Sequence, residues 1–245
     1  MRYLFLLLIL AMIVGCSPSD AGMVIGSGAE APPSGITFVA AESGTTNGDT
    51  SVVANKPTGT VNNDVMIGCV YTNGNAEDHS DPGDWATILE DLTNGSDTMS
   101  CWYKVASGEG ASYTFTGGST EAMVLIISTF RGVDTADVIN VFEDGLTTTS
   151  TSVTSQTITT DEDGCMIIAA AEMNDDEDAM TVIQGGYTSV FGATLEIATT
   201  VGADTGIRGT MSYELQESLG ATGDAVGTQN ESETIITQHF ALNPA

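Results

Sequence analysis

From Ile36 onward the chain reads as all-β, a single antiparallel β-sandwich, on three grounds. Short apolar and β-branched runs alternate with turn clusters throughout this stretch. No segment sustains apolar residues at the i, i+3, i+4, i+7 spacing of a helix. Twenty-eight glycines stand against only 5 Lys+Arg in 245 residues, a balance that suits turns and strands. The 33 Asp+Glu bring the formal net charge to −28, which excludes a nucleic-acid binder, because neutralising phosphates takes clustered Lys and Arg. Only 16% of residues are charged and 41% are hydrophobic, so the chain can bury a core rather than remain a solvated acidic coil.

The first element is a targeting signal. Met1-Arg2 supplies one positive charge, and Tyr3 to Val14 follows as an unbroken apolar run, short of the roughly 20 residues of a membrane span. The run closes as Ile13-Val14-Gly15-Cys16 and passes into Ser17-Pro18-Ser19-Asp20, which resembles the lipobox of bacterial lipoproteins. That resemblance implies removal of residues 1–15 and lipidation of Cys16, hence export and a membrane partner. Residues 16–35, rich in Ser, Gly, Ala and Pro, read as the lipid-bearing cysteine and a flexible tether. Residues 36–245 are the sandwich domain.

Within the domain, strands are expected at Ile36–Ala41, Asp64–Tyr71, Ala86–Asp91, Thr98–Ala106, Ser112–Thr116, Ala122–Phe130, Val138–Glu143, Ser152–Thr159, Cys165–Glu172, Met180–Ile183, Thr188–Phe191, Thr194–Val201, Arg208–Leu215 and Thr234–Leu242. Asn73-Gly74-Asn75, Asn94-Gly95, Gly117-Gly118, Asp144-Gly145 and Asp163-Gly164 supply turns between them, since Gly and Asn tolerate positive φ. Met123-Val124-Leu125-Ile126-Ile127 and Cys165–Ala171 are apolar throughout rather than alternating, which places them centrally with both faces covered.

A series of short motifs runs in order along this body. Lys56-Pro57 leads into Asn63-Asp64-Val65-Met66-Ile67, then come Asp84-Trp85-Ala86-Thr87-Ile88, Trp102-Tyr103-Lys104-Val105-Ala106, Ser112-Tyr113-Thr114-Phe115, Phe130-Arg131-Gly132-Val133-Asp134 and Ala241-Leu242-Asn243-Pro244. Together they resemble a family of β-sandwich modules found in exported bacterial proteins and phage structural proteins. Asn63 stands where that family has Gly, and Glu77–Asp81 is an insert. The resemblance implies a jelly-roll-like sandwich and no known catalytic residues.

Candidate sites follow from residue chemistry. Cys69, Cys101 and Cys165 each sit in an apolar run without the paired spacing of a zinc site, so three buried thiols are the favoured reading, with a Cys69–Cys101 bridge the alternative that an exported compartment allows. Arg131, with Asp134 nearby, reads as a structural ion pair or carbonyl clamp at a strand end, with ligand binding the alternative. Two acidic clusters are candidate calcium loops by composition: Asp78, Asp81 and Asp84 around His79, and Asp175 and Asp176 after Asn174, with solvated acidic loops the alternative. Trp85 and Tyr187 are candidate ligand-stacking aromatics, with burial in the core the commoner outcome for such rings. His239 lies in the apolar last strand and reads as a satisfied, partly buried histidine.

The expected function is a non-catalytic, exported, lipid-anchored surface protein for binding or adhesion, with a surface glycan or protein as partner. The alternatives are a phage-encoded virion or host-surface structural protein and, third, a secreted glycoside hydrolase. The last rests on Glu172-Met173-Asn174-Asp175-Asp176-Glu177, which loosely resembles the paired-glutamate strand of laminarinase-type enzymes.

Overall fold

The computed structural model describes residues 35–74, 78–173, 188–189, 195–197 and 206–245; the signal segment, Cys16 and the tether lie outside them. The described residues contain strands and no helix. The first half of the chain supplies β1 (Thr37–Asn55), β2 (Val65–Asn73), β3 (Ala86–Thr93), β4 (Thr98–Val105) and β5 (Ser112–Arg131), which pair in the order β1-β5-β2-β4-β3. After a crossover at Gly132–Val138 come β6 (Ile139–Phe142), β7 (Leu146–Thr154), β8 (Thr159–Thr160), β9 (Cys165–Met173), β10 (Thr188–Ser189), β11 (Leu195–Ile197), β12 (Ile207–Gln216), β13 (Gly220–Ala221) and β14 (Val226–Leu242). The second sheet has the order β10-β12-β9-β14-β6, with β11 also on β12 and β7 also on β14, while β8 and β13 form a small clip. Every pairing is antiparallel.

The pleat explains how the sheets meet. Val65, Ile67, Cys69 and Tyr71 on β2, Val124, Ile126 and Phe130 on β5, and Met166, Ile168 and Ala170 on β9 all join one core between the sheets. The alternate residues of β2 and β5, Met66, Val70, Met123, Leu125 and Ile127, enter a second cluster with Trp85, Trp102, Tyr113 and Phe115 on the outer face of the first sheet. On β9 the outward Ala169, Ala171 and Met173 pack with Val153, Ala225 and Ile235. The apolar runs that do not alternate are therefore central strands covered on both faces, as expected.

The outer cover of the first sheet is a bent ribbon. β1 pairs with β5 along its whole length, but Asp49 faces Glu121 while Ser51 faces Thr116, so β5 spends extra residues at the bend. Beyond the bend, Val52, Ala54, Tyr113 and Phe115 fold back onto Val70 and Leu125. Gly117-Gly118, expected as a turn between two strands, thus lies inside one strand, and β1 runs on to Asn55, far past the expected Ala41. Gly68 is needed beneath this cover, because a Cβ there would come within 3.0 Å of the Trp85 ring and 3.1 Å of Phe115.

The expected strand at Ser152–Thr159 is shifted, since β7 occupies Leu146–Thr154. That at Thr234–Leu242 begins earlier, at Val226. The strand expected at Met180–Ile183 lies outside the described residues.

The reading of three free thiols needs correction. Cys69 and Cys101 face each other on β2 and β4 with their Cα atoms 4.2 Å apart and are joined by a disulfide. The register places the two cysteines opposite one another, and no sequence spacing reveals that. Cys165 alone stays a buried thiol among the described residues, its pKa pushed up to about 11 by burial and then by the neighbouring carboxylates of Glu162, Asp161 and Asp163.

Candidate functional site

At the end of the sandwich where β2 begins and β5 finishes, residues 61–64, residues 131–135 and Ala245 line an open cleft of about 550 Å³. Its floor is fixed by main-chain bonds. Asp134 N donates to Asn243 O (2.9 Å) and Ala245 N to Gly132 O (2.9 Å), tying the crossover to the last residues of the chain. Arg131 closes one wall. Its Nε donates to Asp64 Oδ1 (2.8 Å), and Nη2 donates to Asp64 Oδ2 (2.8 Å) and to Gly59 O (3.1 Å). This two-pronged geometry is specific to the planar guanidinium, and the pairing with Asp64 holds the Arg131 pKa above its usual value. Asp64 is buried while the Arg131 side chain is 51% exposed, so the pair is anchored inside and open outside.

Asn63 turns the chain into this pair. It adopts φ 70°, one of two non-glycine residues with positive φ in the described structure, and Asn is among the side chains that enter this region at least cost. Asp64 Oδ2 also accepts from Val61 N (2.9 Å), closing the turn from its other side. Asn62 Oδ1 accepts from Gly108 N (3.0 Å), and Asp134 Oδ1 accepts from Ala136 N (2.8 Å). The cleft therefore presents amides, carboxylates, a half-open guanidinium and the exposed Val61 side chain. It holds neither histidine nor cysteine, and its groups suit recognition of a polar surface.

The other sequence-predicted residues fall elsewhere. Asp78 is exposed beside the buried His79. Asp81 Oδ2 is occupied by the backbone N–H groups of Gly83 (2.7 Å) and Trp85 (3.0 Å). Asp84 pairs with Lys104 Nζ at 2.5 Å, and the same ammonium lies 2.9 Å from Glu109 Oε2. Tyr113 donates to Glu109 (2.7 Å), which completes a surface latch. Among the described residues no three His, Cys, Asp or Glu side chains converge as metal ligands. Asp175, Asp176 and Tyr187 lie outside the described residues.

Trp85 is 8% exposed, edge-on to Tyr113 and Phe115 with ring centroids 5.2 Å away in both cases. It packs in the outer core of the first sheet. His239 is buried and donates from Nδ1 to Gln156 O (2.5 Å), and burial pushes its pKa down.

Two buried polar groupings remain, of which the sequence reading missed the first and read the second as part of an enzymatic motif. On the outer face of the first sheet, His79 Nε2 lies 2.6 Å from Thr72 Oγ1 and Nδ1 lies 2.9 Å from Ser100 Oγ, while Ser100 donates to Asp91 Oδ1 (3.1 Å). The combination of histidine, hydroxyl and acid resembles a hydrolytic set, but Thr72, His79 and Ser100 are all buried. The network fastens the acidic loop to β2 and β4. The second grouping centres on Glu172, which is fully buried on β9 and directed between the sheets. A glycosidase nucleophile must reach an anomeric carbon, and Glu172 has no solvent-facing path here.

Comparison with family models, with curated proteins and with solved structures finds no match to this chain.

Proposed function

We propose that this protein is an exported, lipid-anchored β-sandwich that binds a surface glycan or protein without catalysis, with the Arg131 cleft as its recognition surface. The observation that carries the reading is the Cys69–Cys101 disulfide at the centre of the first sheet, because such bridges persist in oxidising compartments and are rare in the cytosol. It agrees with the signal-like residues 1–15 and with Cys16 at the position a lipid would take. The acidic surface also fits, since a strong like charge keeps an exposed domain soluble and monomeric. The cleft lies at one end of a rigid sandwich, where loops carry recognition without disturbing the core.

Two measurements test this. In a bacterial host fed a clickable fatty acid, the wild-type chain should take up label and partition with membranes, and Cys16→Ala should abolish both. Label retained by Cys16→Ala would refute the anchor. On a glycan array, with and without calcium, the protein should bind a limited set of ligands, and Val61→Glu should weaken that binding while leaving the melting temperature unchanged. Binding that Val61→Glu leaves intact would remove the cleft from the proposal.

A further inference from the structure

Glu172 takes no part in the cleft, and its surroundings set it apart from the described carboxyls that have partners. On β9 it pairs across to Gly209 of β12 and Ile236 of β14, and it shares its face with Met166, Ile168 and Ala170 of the core between the sheets. Its exposure is 0%, and neither carboxyl oxygen has a hydrogen-bond partner.

The groups packed against it offer no compensating cation among the described residues. From β2 comes Tyr71, whose hydroxyl is already donated to Thr210 O (2.9 Å) and whose ring fills the space above Gly209, where a Cβ would come within 2.5 Å. From the turn before β4 comes Asp97, fully buried, its Oδ2 accepting from Asn94 (3.1 Å). Ile236 and Gln238 on β14 are uncharged. Arg208 on β12 sits opposite Met173 and so lies on the other face of the sheet.

We propose that Glu172 is carried as a neutral carboxylic acid in the core, making the sandwich a pH-responsive fold that tightens in acid and loosens as the medium turns alkaline. An ionised carboxylate with no partner is far costlier to bury than the neutral acid. Burial first, and the nearby Asp97 second, accordingly hold the Glu172 pKa well above its ordinary value. Because the folded-state pKa is raised, the unfolded chain releases this proton first as pH rises. Stability is therefore undiminished below the ordinary glutamate range and falls steadily as pH climbs from there through the raised folded value.

Two other groups bear on the measurement. His239, with its depressed pKa, acts in the opposite direction by destabilising the fold below its ordinary range. Tyr71, whose pKa is raised by burial and by Glu172, titrates only at strongly alkaline pH.

The test compares melting temperatures of the full chain and of Glu172→Gln, in which His239 and Tyr71 are both retained. Moving from about pH 4 to about pH 8, wild type should lose about 3 °C or more relative to the variant. Parallel pH profiles would overturn the proposal. Infrared difference spectra at neutral pH should show a protonated-carboxyl carbonyl band in wild type that is absent from Glu172→Gln, or from Glu172→Met should the amide variant not fold. Absence of that band in wild type would overturn the proposal on its own. So would a wild-type melting temperature at neutral pH that drops on chelation and recovers with added calcium, because a cation and not a proton would then be satisfying the carboxyl.

Discussion

The two sheets bury carboxyl groups at nearly the same depth and treat them in opposite ways. Asp64, at the head of the first sheet, is 2% exposed and receives two bonds from Arg131 and one from a backbone N–H. Glu172, in the middle of the second, is fully buried and receives none. Depth alone therefore does not decide the state of an acid; the donors its neighbours supply do. The same contrast extends to the rest of each half. The first sheet is secured by specific devices: a disulfide, a forked ion pair, edge-on aromatic contacts and the Lys104 latch. The second relies mainly on small and aliphatic side chains packed on both faces of β9.

That contrast can be tested, beginning with its strongest element. Replacing Cys69 and Cys101 together by Ala should lower stability by about 3–4 kcal/mol, the value expected for freeing a loop of this length in the unfolded chain. Denaturant melts with and without reductant measure it, and an unchanged midpoint would show that the first sheet does not depend on its bridge. Next, Asp64→Ala should cost about 2–3 kcal/mol, since it removes charge-assisted bonds to Arg131 together with the cap on Val61. Arg131→Lys in the same assay should be milder but measurable, because an ammonium cannot reproduce the forked contact.

In the second sheet the sign should reverse. Glu172→Leu is expected to raise stability at neutral pH by about 1 kcal/mol or more, as an apolar side chain replaces an unsatisfied polar one. Loss of stability there would mean that the carboxyl has a partner. The smallest effect concerns Asn63. Its φ of 70° favours Gly, so Asn63→Gly should change stability by only a few tenths of a kcal/mol, whereas Asn63→Val should cost about 1–2 kcal/mol. Comparable melting curves for the two variants would argue against a left-handed turn at this position.

Much of the fold was legible because apolar runs report burial directly. Met123–Ile127 and Cys165–Ala171 predict central strands from composition alone, and both occupy that position. The second half of β1 was not legible. Glu42-Ser43-Gly44-Thr45-Thr46-Asn47-Gly48-Asp49 has the composition of a loop and becomes strand only because β5 supplies a partner for its backbone. Register was equally hidden. The meeting of Cys69 with Cys101 depends on which residue of β2 faces which residue of β4, a long-range alignment that local propensity does not contain.

The cleft was half visible. Arg131 was readable as an ion-pairing residue, but its partner is Asp64, 67 positions away, rather than the adjacent Asp134. Asn63 adopts the left-handed turn that presents Asp64 to the guanidinium, and nothing local in the sequence joins the two. Glu172 was read against an enzymatic motif because its sequence neighbours are acidic. The deciding information was the inward phase of β9, which appears only once the strand is paired.

The bent ribbon of β1 and β5 also bears on when this protein can fold. Thr37 pairs with Arg131, and Asn55 with Ser112, so the first strand finds no partner until the chain has been made to nearly half its length, and its first residues none until past the middle. Loop closure on that scale is slow, and all-β topologies with such distant pairings fold far more slowly than those built from neighbouring hairpins. β2 and β4 can form a hairpin-like pair with β3 earlier, which brings Cys69 to Cys101 before β5 is available to pair with β2. The sheet is thus expected to be pinned first and covered afterwards, an order that leaves the chain open for much of its synthesis and closes the bridge in only when Met166 and Ile168 of β9 pack onto its face.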